Sequence, residues 1–134
     1  MNILVIDAQG GGLGRQAVAA IKQNFPDYEI TAVGTNSAAA TAMLKAGADH
    51  TATGENAGTV GCRRADVIVG PVGIVIADAL YGEITPNMAL AVGQSRAKRI
   101  LIPVNHCDNI IAGVPDLTLS RLVESVIEQL RALV

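Results

Sequence analysis

The chain has 134 residues, the length of one ordinary domain (1–134), and half of them are apolar, enough to bury a core without disulfides or metals. A formal charge of -2 and only Phe25, Tyr28 and Tyr81 as aromatic residues supply neither a basic field for a phosphate backbone nor stacking platforms for bases, so no nucleic-acid partner is expected. The start MNILVIDAQ lacks the basic segment of a signal peptide, the apolar run Val67 to Ala77 is interrupted by Gly70, Pro71 and Gly73 and is far shorter than the ~20 residues of a membrane helix, and Cys62 and Cys107 are too few for a disulfide framework. A cytoplasmic protein with no membrane partner and two free thiols is the expectation.

In chain order, Asn2 to Ile6 reads as a first buried strand. Leu13, Ala17, Ile21 and Phe25 then recur at four-residue spacing, the stripe of a helix that Pro26 ends. A second strand, Glu29 to Val33, leads to Ser37 as cap of an alanine-rich helix that stops at Gly47. A weaker strand near Asp49 to Thr53 precedes a short helix from Glu55 to Arg64, in spite of Gly58 and Gly61. After the fourth strand, Asp66 to Val69, an apolar helical segment from Ile74 to Tyr81 breaks at Gly82, and Thr85 and Pro86 announce another helix. The fifth strand is Ile100 to Val104. A sixth, Ile110 to Val114, would follow after too few residues for a parallel crossover and would have to be antiparallel. Leu119, Leu122, Val123, Val126, Ile127, Leu130 and Leu133 form the apolar stripe of a closing helix.

Ile- and Val-rich strands alternating with helices specify an α/β fold: one doubly wound, mostly parallel sheet with helices on both faces. The strand order is not readable directly; 3-2-1-4-5, with the sixth strand, if present, at an edge, is the usual doubly wound arrangement. No internal repeat or linker divides the chain.

The turn DAQGGGLGR, Asp7 to Arg15, joins a buried strand to a helix. Gly10, Gly11, Gly12 and Gly14 let backbone N–H groups approach a ligand at a helix N-terminus, where an anion is favoured. The spacing is not G-x-G-x-x-G, because Arg15 stands at the third glycine. In the register G-x-x-x-G-x-G, Gly12 and Gly14 match and Ala8 replaces the first glycine, so these residues, with Gln9 and Leu13 between them, resemble the coenzyme turn of short-chain dehydrogenases. The alternative is that the glycines serve only a tight turn and close helix–strand packing.

The turns that follow the strands are mostly small, polar and neutral: Gly34-Thr35-Asn36-Ser37, Thr53 to Asn56, Gly70-Pro71-Val72-Gly73 and Asn105-His106. Doubly wound sheets bind ligands outside these carboxyl ends, so a crevice is expected there. The turns at the other end, with Arg63-Arg64 and Arg96 to Arg99, read as solvated charge. Neither the acidic residue that marks NAD nor the arginine that marks NADP ends the second strand, though Asn36 and Ser37 could hydrogen-bond a ribose or its phosphate. Asp7 could bind ribose hydroxyls or a cation, or cap its own turn, and beside a pyrophosphate it would be repelled. Asp78 and Glu83 read as solvated.

Catalytic signatures are absent: Tyr81 is followed four residues later by Thr85 where a short-chain dehydrogenase has lysine, and no nucleophile elbow, P-loop or H-E-x-x-H occurs. His106 and Asp7 are the remaining acid–base candidates. His106, Cys107 and His50 could in principle share a metal, but no tetrahedral ligand set is apparent and no metal is expected.

The glycine turn, the segments Val33 to Asn56 and Ala65 to Lys98, and ILIPVN from Ile100 to Asn105 resemble, nearly end to end, a family of short bacterial proteins defined as a domain of unknown function. That resemblance implies no activity or catalytic residue. The glycine that follows the turn's aspartate in the family is Ala8 here. The expectations are therefore a small phosphate-bearing ligand, NAD or NADP, held by Asp7, Gln9, Gly10 to Gly14, Thr35, Asn36, Ser37, Gly70, Pro71, Gly73 and Asn105. The protein would be a small oxidoreductase-like enzyme or a cofactor sensor, and a homodimer through the apolar 74–93 segment (Ile74, Val75, Ile76, Leu80, Met88, Leu90, Val92). The rival expectation is a structural or regulatory oligomer without a nucleotide.

Overall fold

A computed structural model describes residues 1–104 and 108–133. Five strands, β1 (Asn2–Asp7), β2 (Glu29–Gly34), β3 (His50–Thr53), β4 (Val67–Pro71) and β5 (Lys98–Ile102), form one sheet in the order β3-β2-β1-β4-β5 with every pair parallel. The α-helices among the described residues are α1 (Gly12–Asn24), α2 (Ser37–Lys45), α3 (Glu55–Arg64), α4 (Pro86–Gln94) and α5 (Leu119–Ala132). The strand order runs outward from β1 to β3 and then in the opposite sense from β4 to β5. Right-handed crossovers therefore put α1 and α2 on one face and α3 and α4 on the other.

The side chains of β1 follow that division by strict alternation. Ile3 and Val5 enter a core with Ala17, Val18 and Ile21 of α1, Met43 of α2, and Leu122, Val126 and Leu130 of α5. Leu4 and Ile6 enter a second core with Cys62, Ile68, Met88 and Val92. Burial of each large aliphatic side chain contributes about 1.5–3 kcal/mol, which fixes α5 to its face. Gly58 and Gly61 sit inside α3 because a Cβ there would come within 3.2 Å of Met88 Cε and 3.0 Å of Leu4 Cδ1. The missing side chains let α3 lie close to α4 and the sheet, and this contact offsets their poor helix propensity.

Two expectations are corrected. Ile110 to Val114 is not a strand: Val114 N–H reaches back to Ile111 O at 3.4 Å, Gly113 has φ 79°, and Ile110 is 93% exposed. A turn of this kind exposes no straight edge for β5 to pair with. Ile74 to Tyr81 is not a helix either. A single 3-10 turn, Val72–Val75, gives way to backbone with φ of 65° at Asp78, 57° at Leu80 and 58° at Tyr81, which no right-handed helix can contain.

The apolar surplus of the 74–93 segment is thereby mostly used within the chain. Ile74, Leu80, Met88 and Val92 are buried, Val75 and Ile76 are partly buried against them, and Leu90 is exposed. No helix among the described residues is long and apolar enough to cross a membrane.

Candidate functional site

β1 and β4 are neighbours whose connections leave in opposite directions, so the crevice of a doubly wound sheet lies beyond the carboxyl end of β1. The Asp7-to-Gly14 turn starts there. Gly11, with φ 72°, is the residue preceding α1, and its N–H donates to Ala8 O at 3.1 Å. It has no side chain to cap the helix. Asp7 caps it instead: its Oδ2 accepts from Gly14 N–H at 2.7 Å and its Oδ1 from Ala8 N–H at 2.8 Å. Asp7 is 6% exposed, and burial pushes its carboxyl above the ordinary 3.8 against the two N–H bonds, with the charge of Glu83 adding to the rise. Both oxygens are thus turned inward on the protein's own backbone, and Asp7 is not presented to a ligand as an acid, a base or a ribose partner.

The glycines divide into two sets. A Cβ on Gly11 would lie 2.8 Å from Ala39 Cα, on Gly14 2.6 Å from Met43 Sδ, on Gly34 2.5 Å from Ala40 N, and on Gly70 2.6 Å from Ile6 O. These four permit packing. A Cβ on Gly10 or Gly12 would meet nothing within 4 Å, and neither backbone position is crowded by a neighbouring element. Among the described residues, the N–H groups of Gly10, Gly12 and Leu13 have no hydrogen-bond acceptor.

Thr35 and Asn36, at the end of β2, do join this turn. Thr35 N–H donates to Asp7 O at 3.1 Å, and Asn36 Nδ2 donates to Gln9 O at 2.9 Å. Asn36, rather than Ser37, caps α2, its Oδ1 accepting from Ala39 N–H at 2.9 Å. Ser37 is the first helical residue and exposed. Gly70, Pro71 and Gly73 are buried, so they shape the floor of the crevice and do not face its opening. Asn105, His106 and Cys107 lie outside the described residues.

Glu83, read from sequence as solvated, sits in the crevice. Its carboxylate accepts from Gln9 N–H at 3.0 Å, Thr35 Oγ1–H at 3.1 Å and Asn36 Nδ2–H at 2.8 Å. The segment between the 3-10 turn and α4 crosses from β4 over β1 to reach these partners. The sequence signals for it were a glycine, Gly82, just before it and the Thr85-Pro86 helix start just after, which together mark a tight, positioned loop.

Other candidates fall away from this end of the sheet. His50 pairs with Glu29 at 2.7 Å at the amino end of the edge strand β3, away from the glycine turn. Burial raises the Cys62 thiol to about 11, which keeps it protonated and unreactive at neutral pH. A groove of about 710 Å³ lies on the α3 side of β2 and β3, lined by Thr31, His50, Ala52, Val60 and Arg64, and was not expected. It lies between α3 and the sheet, and none of the turn's donors lines it.

Fold and crevice define a doubly wound α/β protein with a glycine-rich turn at its topological switch point. The chain belongs to the family described as Domain of unknown function (DUF3842), which matches residues 2–134. Comparison with curated protein sequences gives no match. Among solved structures, the chain is similar in fold to a dodecameric FMN-dependent UbiX-like decarboxylase from Escherichia coli O157:H7, with TM-score 0.53 and 17% identity over 97% of this chain and 94% of that one.

Proposed function

We propose that this protein binds a phosphate-bearing nucleotide cofactor over the Gly10-to-Gly14 turn, with the sugar toward Thr35 to Ser37. The observation that supports the reading is the set of three backbone donors, Gly10, Gly12 and Leu13 N–H, without acceptors among the described residues, beside two glycines whose missing side chains leave the space above them open. At the start of a helix such donors favour an anion. The packing alternative explains Gly11, Gly14, Gly34 and Gly70 but gives no reason for Gly10 or Gly12.

The end of β2 carries neither the acid that marks NAD nor the arginine that marks NADP. That favours a mononucleotide, and the fold likeness to an FMN-dependent enzyme puts FMN first, with NAD and NADP tested beside it. The lack of a tyrosine–lysine pair favours a cofactor-holding or sensing role over dehydrogenase chemistry. A homo-oligomer, as in that structural neighbour, belongs to the same reading, with exposed Leu90 as a contact, and light scattering checks it.

Thermal unfolding with FMN, NAD, NADP, ATP, GTP and nucleotide sugars tests the site. A ligand at about 100 times its Kd adds roughly 2.7 kcal/mol, a melting shift on the order of 10 °C. Gly12→Val should abolish the shift without unfolding the protein, and Lys98→Ala, at the amino end of β5, should leave it intact. No shift with any of these compounds would refute the nucleotide reading.

A further inference from the structure

The surroundings of Glu83 are those of a bound anion. Three donors from two separate turns converge on one carboxylate: the Gln9 N–H, the Thr35 hydroxyl and the Asn36 side-chain amide. None of them is a cation. Neutral N–H and O–H donors gathered in a concave turn are the means by which backbone nests hold phosphate oxygens, and a carboxylate satisfies them by the same chemistry.

The donors are also held in place without Glu83. Gln9 takes φ 54°, a conformation that costs a non-glycine residue about 1–2 kcal/mol and persists where neighbours enforce it. The enforcement comes from Asn36, whose Nδ2 binds the Gln9 carbonyl while its Oδ1 caps α2. The Thr35 backbone is fixed by its N–H bond to Asp7 O. Gln9 opens the same turn that carries the unpartnered N–H groups of Gly10, Gly12 and Leu13, so a group with three oxygens could engage donors that a carboxylate leaves unused.

The loop that delivers Glu83 is fixed as well. Asp78 N–H bonds Ile84 O at 2.7 Å, Glu83 N–H bonds Leu80 O at 3.2 Å, and Leu80 and Ile84 are buried on either side. Thr85 Oγ1 bonds the Glu55 carboxylate at the start of α3.

We infer that Gln9 N–H, Thr35 and Asn36 form a phosphate-binding site, and that Glu83 occupies it as an internal competitor which an incoming phosphate group displaces. The inference rests on the nucleotide reading and adds the place of the phosphate and the residue that opposes it. Glu83→Gln removes the charge and turns an NH2 toward the donors. Glu83→Ala empties the position. Both keep Leu80 and Ile84 as anchors.

Inorganic phosphate titrated into wild type, Glu83→Gln and Glu83→Ala, followed by the amide resonances of Gln9, Gly10 and Gly12, is the test. At least ten-fold tighter binding by both variants, with the Gln9 amide moving on saturation and melting temperatures without phosphate within a few degrees of wild type, is the expected result. Equal affinity in all three proteins overturns the inference and makes Glu83 a structural latch. Weaker binding by the variants overturns it too, since Glu83 would then hold the ligand. So does the absence of phosphate binding in all three. The nucleotide reading is decided separately, by the wild-type thermal shifts: nucleotides that bind wild type and both variants alike sink the competitor alone.

Discussion

The two ends of the sheet use the same chemical device to opposite purposes. At the amino end, Asp66 accepts from Asn2 N–H at 2.8 Å and Asp49 from Ile30 N–H at 2.8 Å, each carboxylate stitching the start of its own strand to the neighbouring strand in the sheet. Lys22 Nζ then pairs with Asp49 at 2.7 Å. At the carboxyl end, Asp7 and Glu83 also accept backbone N–H groups, but there the donors lie in a turn or in the first turn of α1 and not in a strand, and no lysine or arginine among the described residues bonds either carboxylate. The amino-end carboxylates fix the register of a sheet. Those at the carboxyl end hold the shape of a crevice, and they do so with uncompensated negative charge where an anion is proposed to bind.

The glycines give the sharpest way to break this contrast. Gly34→Ala would drive a Cβ to 2.5 Å from Ala40 N, a clash with backbone that cannot turn aside. It is expected to cost about 3 kcal/mol, a fall in melting temperature on the order of 10 °C. Gly12→Ala, in the turn that borders the same crevice, is expected to change stability by no more than about 0.5 kcal/mol. If chemical denaturation shows both equally damaging, the division of the glycines into packing and open sets is wrong.

Asp7→Asn comes next. An amide can accept from only one of Ala8 N–H and Gly14 N–H while facing the other with its own donor, so a loss of about 1–3 kcal/mol is expected. The pH dependence gives an independent check. The folded protein holds the Asp7 proton more tightly than the unfolded chain does, so its contribution to stability falls as pH rises from the ordinary 3.8 through the raised value. The difference in stability between wild type and Asp7→Asn should therefore change across that interval and level off above it.

Asp49→Asn tests the amino end and has the smallest expected effect. Lys22, the Ile30 N–H and His50 hold the Asp49 carboxyl below its ordinary 3.8, so the stability it supplies is present above that value and lost as pH falls through the depressed one. The carboxylate is exposed, and solvent limits the gain to less than about 1 kcal/mol at neutral pH, smaller still in high salt. Denaturant titrations at two ionic strengths read it directly. An effect as large as that of Asp7→Asn would erase the distinction between the two ends.

Much of this architecture was legible in the residues. The strands, the start of α4 at Thr85-Pro86 and the buried stripe of α5 follow from apolar periodicity and capping chemistry, which act over a few residues, whereas the strand order came from the usual arrangement of doubly wound sheets. Strand ends slipped by a residue or two: β5 begins at Lys98, where Ile100 was expected, because pairing with Val67 fixes its start and not its own hydrophobicity. The glycine turn and its partners Thr35 and Asn36 were found because turn residues at strand ends carry a compositional signal. The segment after β4 was not. Its left-handed residues are Asp78, Leu80, Tyr81 and Gly82; Gly82 marks the end of the reversal, but Leu80 and Tyr81 are types that ordinarily avoid that conformation, so the sequence reads as a helix up to Gly82. Glu83 was missed for a related reason. A lone glutamate defaults to solvent unless its partners are known, and those partners are 47, 48 and 74 residues away.

The rigidity of that same segment sets a time scale. Tyr81 at its tip is 96% exposed, yet the backbone beneath is closed by its own hydrogen bonds and pinned by Leu80 and Ile84. Glu83 can leave its donors by turning about its side-chain bonds while the loop stays where it is. Rotamer changes of this sort take picoseconds to nanoseconds, against microseconds or longer for a moving lid. Exchange at the crevice would then run without a gate: competition from Glu83 would weaken the equilibrium occupancy of a ligand while adding no slow step to its arrival.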